Sequence, residues 1–291
     1  MKPAAFKYIV ATSLEHALAA KADYGDEAKF LAGGQSLLPA MNFRLAQPAV
    51  LIDLNPLNNL NYIKDDGGDV RIGALTRYRN LEADAALLMR CPLFADALPL
   101  IAHPQIRNRG TIGGNLSHAD PASELPALAV AMQARFRIQS ASGLRDVDAA
   151  DFFLGLLTTA IRDDEMLVEI MFSAPKPNTG SAFMEIARRR GDYAIAGVAA
   201  AITLDGSGTC IDARLALCGV GETPVDGSDA ASALIGQAVT PDAIAAVVAS
   251  VRDVLDPSGS VHASADYQRH VAGVLTQRVL AEAHRRVRHA S

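Results

Sequence analysis

The stretch Lys29-Phe30-Leu31-Ala32-Gly33-Gly34-Gln35-Ser36-Leu37-Leu38-Pro39 decides how this chain is read. Its first four residues read as a short buried strand, Gly33-Gly34 as a turn, and Ser36 as the cap of a helix that opens at Leu37. Glycine lets backbone N–H groups turn toward a ligand with no Cβ in the way, and successive N–H groups in such turns form anion-binding concavities. A strand that ends in glycines and opens a helix is phosphate-binding geometry. Working outward, a second pair stands in Arg109-Gly110-Thr111-Ile112-Gly113-Gly114-Asn115-Leu116-Ser117-His118-Ala119-Asp120-Pro121. Together the two pairs read as a two-sided cradle for a pyrophosphate; singly, each is equally the punctuation of an ordinary turn.

Neither G-x-G-x-x-G nor G-x-x-x-x-G-K-[ST] occurs, so no Rossmann fingerprint or Walker loop is present. At 291 residues and 50% hydrophobic, the chain has enough material for a large core and two domains. A net charge of -5 argues against nucleic acid as a partner. The one dense basic run, Arg285-Arg286-Val287-Arg288, reads as a solvated complement to the dipole of the last helix. Residues 1–7 lack the apolar centre of a signal peptide and no run is long and apolar enough to span a membrane, so a cytoplasmic protein is expected. Three cysteines without C-x-x-C spacing fit a reducing compartment and are too few for an all-thiolate iron–sulfur cluster. His284 and His289 read as surface residues, and no metal is expected.

The pattern along the chain predicts an α+β protein. Thr12-Ser13-Leu14-Glu15 reads as a capping box before an amphipathic helix ending at Gly25. Residues 49–54 read as a buried strand, and residues 60–64 and 69–75 as a hairpin around Asp65-Asp66-Gly67-Gly68. Helical spacing covers residues 76–90 and 93–101, and Asp120-Pro121 reads as the cap and first residue of another helix, with Glu124 in its first turn. Strands are expected at residues 134–139 and 164–170, with a short helix at 148–155 between them. The Pro/Gly/Asn loop at residues 174–180 marks a boundary near residue 177. Domains of residues 1–177 and 178–291 follow from it. The second holds three antiparallel strands, at residues 182–190, 194–204 and 210–220, then helices at 241–255 and 264–287.

The two glycine segments, with Arg190-Gly191-Asp192-Tyr193-Ala194 as a third motif, resemble the FAD-binding medium subunit of molybdenum hydroxylases of the carbon monoxide dehydrogenase and xanthine dehydrogenase type. The resemblance runs from the first helix to the C-terminus. It implies a two-subdomain FAD-binding α/β domain of the vanillyl-alcohol-oxidase (PCMH-like) kind, followed by a C-terminal domain of antiparallel sheet and helices. It assigns FAD to Lys29, Leu31, Ala32, Gly33, Gly34, Gln35, Ser36 and Leu37 on one side. On the other it assigns Ile101, Ala102, Thr111, Ile112, Gly113, Gly114, Asn115, Ser117, Ala119, Asp120 and Glu124, together with Leu167 and Tyr193. By resemblance Tyr193 lies against the isoalloxazine ring, and Glu124 bonds the ribose or adenine end or else complements a helix dipole. Leu167 and Ile170 line the ring or fill a sheet core. Arg107 and Arg109 either attract the diphosphate or are solvated loop charges. Gln35 stands where relatives commonly have histidine, which leaves backbone contacts intact and removes a titrating group.

No G-x-S-x-G elbow exists, and Asp163-Asp164-Glu165 reads as a solvated turn, so the chemistry belongs to the cofactor. The resemblance implies a heterotrimer with a molybdenum-cofactor large subunit and a 2Fe-2S small subunit, with FAD passing electrons to an external acceptor. Two rivals stand beside it. One is a self-contained flavin oxidase or reductase, with His103 or Cys91 as a covalent attachment point; the other is an assembly protein that has lost the cofactor.

Overall fold

A computed structural model of the chain describes residues 1–65 and 67–287; Asp66 of the hairpin turn, Arg288 of the basic run and His289 lie outside the described residues. The first unit comprises β1 (Lys7–Val10), α1 (Leu14–Tyr24), β2 (Ala28–Leu31), α2 (Leu37–Asn42) and β3 (Val50–Asp53). Its three strands are all parallel in the order β1-β3-β2. β3 is buried along its whole length, as a central parallel strand must be, and Ile52 packs with Ala17, Leu18 and Ala28. β1 has no counterpart in the sequence reading: it is a four-residue edge strand with a mostly exposed pattern, too short to show a period. The cap of α1 is Ser13, whose hydroxyl accepts from the His16 N–H at 3.1 Å, and not Thr12, the first residue of the expected box.

The second unit carries β4 (Ile63–Asp65), β5 (Val70–Gly73), α3 (Tyr78–Ala83), α4 (Ala85–Arg90), α5 (Pro92–Ala97), α6 (Pro104–Arg107), α7 (Ile112–His118), α8 (Glu124–Ala131), β6 (Arg135–Ser140), β7 (Gly143–Asp148), α9 (Ala149–Phe152), β8 (Phe153–Gly155), β9 (Thr158–Thr159) and β10 (Met166–Phe172). Five of its strands form an antiparallel sheet in the order β4-β5-β10-β6-β7. Ile72, Phe136, Ile138, Ile170 and Phe172 of that sheet share one core with Phe94, Ile112 and Leu116 of the helices. The helical pattern over residues 76–90 is broken at Asp84, whose carboxylate accepts from the Leu87 N–H at 2.9 Å and starts a new helix. Asp120-Pro121 forms no helix start. Asp120 accepts from the Ala122 N–H at 3.0 Å in a local turn, and α8 begins at Glu124 after Ser123. Glu165, expected in a solvated turn, is buried and held by both nitrogens of an Arg145 fork at 2.7 Å.

The third unit comprises β11 (Thr179–Ala187), β12 (Ala194–Leu204), β13 (Cys210–Cys218), β14 (Val225–Asp226), α10 (Ser228–Ala231), α11 (Pro241–Val254) and α12 (Ala265–Arg285). The meander has a fourth, two-residue edge strand beyond the three expected, in the order β11-β12-β13-β14. Thr240 and Ser264 cap α11 and α12 with their hydroxyls, as their positions predict. One face of this sheet packs on α11 and α12 through Val198, Ile202, Leu215, Val247 and Leu275. The other face places Phe183, Ala199, Ala216 and Cys218 in the core shared with α5 and α8. The two halves are therefore joined by buried apolar surface, and Arg286 adds an ion pair to Asp96 of α5 at 2.6 Å instead of standing free in solvent. Among the described residues no helix is long and apolar enough to cross a membrane.

Candidate functional site

The fold brings the two glycine loops face to face. A Cβ built on Gly33 would lie 2.5 Å from the Arg109 carbonyl oxygen and 2.9 Å from the Gly110 Cα, and one built on Gly114 would lie 3.8 Å from the Ala32 Cβ. The third motif joins them: a Cβ on Gly191, at φ +79, would meet the Ala102 carbonyl oxygen at 2.5 Å. Tyr193 then stands between the units, over half exposed (56%), with its hydroxyl toward Asp120, Glu124 and Ser36. Burial at that end and the Asp120 carboxylate push the phenol up to about 12, so it remains a neutral donor at physiological pH.

The loops do different work. In the first, the Ala32 carbonyl accepts from Asn55 Nδ2 at 3.1 Å, the Gly33 carbonyl from Gln35 Nε2 at 2.9 Å and the Gly34 carbonyl from the Leu38 N–H at 3.1 Å. Among the described residues no acceptor meets the N–H groups of Gly33, Gly34, Gln35, Ser36 or Leu37. Five successive donors are left over while the carbonyls of Ala32, Gly33, Gly34 and Ser36 are used, and Gly34 at φ +72 supplies the left-handed step such a concavity needs. Ser36 does not cap α2 with its side chain, because its own backbone is already helical. An open depression of about 570 Å³ adjoins this loop and is lined by Lys29, Leu37, Leu45 and Gln47 among others.

In the second loop the donors are already taken. The Ile112 N–H bonds the Thr76 carbonyl at 3.0 Å, Gly113 bonds Ala74 at 2.9 Å, Gly114 bonds Thr111 Oγ1 at 3.1 Å and Asn115 bonds the Thr111 carbonyl at 3.1 Å. The expectation that both loops present glycine amides is corrected to one donor loop and one wall. The wall shows the bare Gly114 surface and Ser117, both exposed, with Asn115 held side chain to side chain by Ser123 at 2.7 Å.

Ala119, at φ +52, ends α7, and Ala102, at φ +47, faces Gly191. Ile101 and Leu167 are core residues at 4% exposure each, and Ile112 is wholly buried. Arg107 is neither a free charge nor a ligand-facing one: it pairs with Glu82 at 3.0 Å and bonds the Ile101 and Ala102 carbonyls at 2.9 and 3.0 Å. Cys91 is buried at 1% exposure and its thiol is pushed up to about 12, which leaves it inert as an attachment nucleophile.

Behind Tyr193 lies an acidic cluster that sequence reasoning saw only in part. Glu124 is buried, and burial, with the Glu185 charge next, lifts it to about 8; Glu185 on β11 is lifted by burial to about 7, and its Oε2 is buried without a partner. Asp120, Tyr193 and Cys218 lie within electrostatic reach of Glu124. Both carboxyls bind protons in the folded chain above their ordinary value of 4.5, so this pair's stabilisation is complete below that pH and is lost progressively as pH rises from there to about 8. The thermal midpoint of the flavin-free chain is expected to fall across that interval and level off above it, and Glu124→Gln to flatten the slope. A midpoint that rises with pH over the same interval refutes this.

Comparison with known proteins identifies the family. The family described as the FAD binding domain in molybdopterin dehydrogenase matches residues 4–175, and the CO dehydrogenase flavoprotein C-terminal domain matches residues 181–283. The chain is 41% identical over 288 residues to the 6-hydroxypseudooxynicotine dehydrogenase complex subunit alpha of Paenarthrobacter nicotinovorans, covering 99% of this chain and 97% of that one. It is 39% identical over 280 residues to the carbon monoxide dehydrogenase medium chain of Hydrogenophaga pseudoflava, covering 96% and 97%. A solved carbon monoxide dehydrogenase from Hydrogenophaga pseudoflava, lacking the Mo-pyranopterin moiety of its cofactor, superposes with a TM-score of 0.96 at 39% identity, covering 99% of this chain and 100% of that one. Quinoline 2-oxidoreductase from Pseudomonas putida 86 gives 0.92 at 35% identity, covering 98% and 99%.

Proposed function

The chain belongs to the FAD-binding medium subunits of the molybdenum hydroxylase-type dehydrogenases, and from that membership we propose that it is the electron outlet of a three-subunit enzyme. Substrate is oxidised on a molybdenum-cofactor large subunit, electrons arrive through 2Fe-2S clusters of a small subunit, and they leave this chain for an external acceptor in the cytoplasm. FAD, when bound, supplies the one- and two-electron redox chemistry; every other contribution comes from binding and orientation by the protein.

The observation that carries this is the run of five unused N–H donors from Gly33 to Leu37, facing a wall at Gly114. That donor set suits a dinucleotide diphosphate, whose oxygens accept and do not donate. Asn115, Asp120 and Glu124 offer polar contacts to the rest of the molecule, and Tyr193 covers one side of a flat ring. A split near residue 177 makes the first part the FAD domain and the second the element that carries Tyr193. Three buried, protonated thiols fit a chain that takes its electrons from clusters held elsewhere.

Mild purification of the native complex is expected to yield one FAD per copy of this chain, released into the supernatant on acid precipitation, together with molybdenum and iron on the partners. Substrate is expected to bleach the flavin only in the complex. Colour that stays with the denatured polypeptide favours the self-contained oxidase, and a colourless chain favours the assembly protein.

A further inference from the structure

Asn55 lies two residues beyond β3, where Asp53 Oδ1 accepts its backbone N–H at 2.9 Å and also its side-chain Nδ2; the Tyr8 hydroxyl donates to the other Asp53 oxygen. Fixed in this way, Asn55 reaches in two directions. Its Nδ2 donates to the Ala32 carbonyl at 3.1 Å, immediately before the donor loop, and its Oδ1 accepts from one nitrogen of the Arg77 guanidinium. Another nitrogen of Arg77 donates to the Arg109 carbonyl, the same oxygen that lies 2.5 Å from the Cβ position of Gly33. One amide and one guanidinium therefore link a carbonyl of the first glycine loop to a carbonyl of the second.

We propose that Asn55 and Arg77 are a positioning pair that sets the gap between the donor loop and its facing wall to the width of a diphosphate. The proposal rests on the FAD reading above. Neither side chain meets the cofactor; each acts through the loop carbonyl it holds. The chemistry fits the task, since a guanidinium fork can serve two acceptors at a fixed separation, as an ammonium on a flexible stem does not. Charge adds a second reason. Arg77 is half-buried, and burial first, then Arg109 and Arg79, hold its pKa below the ordinary guanidinium value. Like charges gathered at one edge of the gap are relieved by an anion entering it.

The test uses the full chain stripped of flavin and titrated with FAD and, separately, with ADP, which carries a diphosphate without a flavin. Arg77→Met and Asn55→Ala are each expected to weaken both ligands by the same factor, about tenfold or more. The double variant should bind no more weakly than the poorer single, because either change opens the same bridge. Arg77→Lys should recover part of the loss through its charge and one remaining donor. Single variants within about twofold of the parent overturn the pair, as does a strictly additive double. A loss for FAD that leaves ADP untouched also overturns it, because the gap is then not what changed. If the parent chain takes up ADP and no FAD, the functional reading falls and the pair is judged on ADP alone.

Discussion

Gly33→Val is expected to leave the chain folded and without FAD. The added Cβ would sit 2.5 Å from the Arg109 carbonyl oxygen and 2.9 Å from the Gly110 Cα. Both are backbone atoms, so neither can swing aside as a side-chain tip would. The loops must part by the better part of an ångström, which pulls the Arg109 carbonyl from Arg77 and moves the Gly33–Leu37 donors off the wall. Loss of several aligned donors to a doubly charged group amounts to roughly a hundredfold or more in affinity. The strain sits in surface loops and should cost the fold only about 1–3 kcal/mol. Flavin per polypeptide after gel filtration, beside the thermal midpoint, checks both halves, and stoichiometric FAD in the variant defeats the prediction. Gly34→Ala is the milder neighbour. Its Cβ would lie nearest the leucine side chains of residues 38 and 31, at 3.0 and 3.1 Å, and the cost is about 1 kcal/mol for a non-glycine residue at φ +72.

What the sequence made legible follows from what is local. A glycine pair between a strand and a helix is a pattern within ten residues, and so are the hydroxyl caps Thr240 and Ser264 and the buried strand read at residues 49–54. The reason for the glycines was not local. Read alone, Gly33 and Gly113 look like room for a phosphate; in the fold their Cβ positions are filled by Arg109 and Ala74 from distant segments. Asn55, Arg77 and Glu185 carried no signal either, because an asparagine after a strand or an arginine before a helix has no periodicity to betray it. Their roles exist only once residues 32, 55, 77 and 109 meet. Ile101 and Leu167 show what a motif position leaves open: both are buried in the core beneath the gap, which for Leu167 was one of the two alternatives its sequence allowed.

Gly113→Val should instead damage the fold itself, and the contrast with Gly114 separates the two glycines of one motif. A Cβ on Gly113 would fall 2.5 Å from the Ala74 Cβ and 2.6 Å from the Ala74 carbonyl oxygen, the acceptor of the Gly113 N–H. Helix α7 lies directly on the five-stranded sheet at this point, with Ile112 and Leu116 wholly buried on either side, so it cannot lift without opening the core. Overpacking at such a contact, with loss of the hydrogen bond, costs about 3–5 kcal/mol. For a chain of this size that is a fall of roughly 10 °C in the thermal midpoint. Gly114→Ala crowds Thr111 Oγ1, the cap acceptor of its own N–H, at 2.7 Å, which costs about 1 kcal/mol, and has Ala32 at 3.8 Å, on the exposed side of the same helix. It should therefore keep most of the stability and lose flavin, because its methyl projects into the gap. Thermal melts and flavin stoichiometry of the pair decide the matter: equal melting losses at the two positions would mean that α7 rests on the sheet less tightly than these distances require.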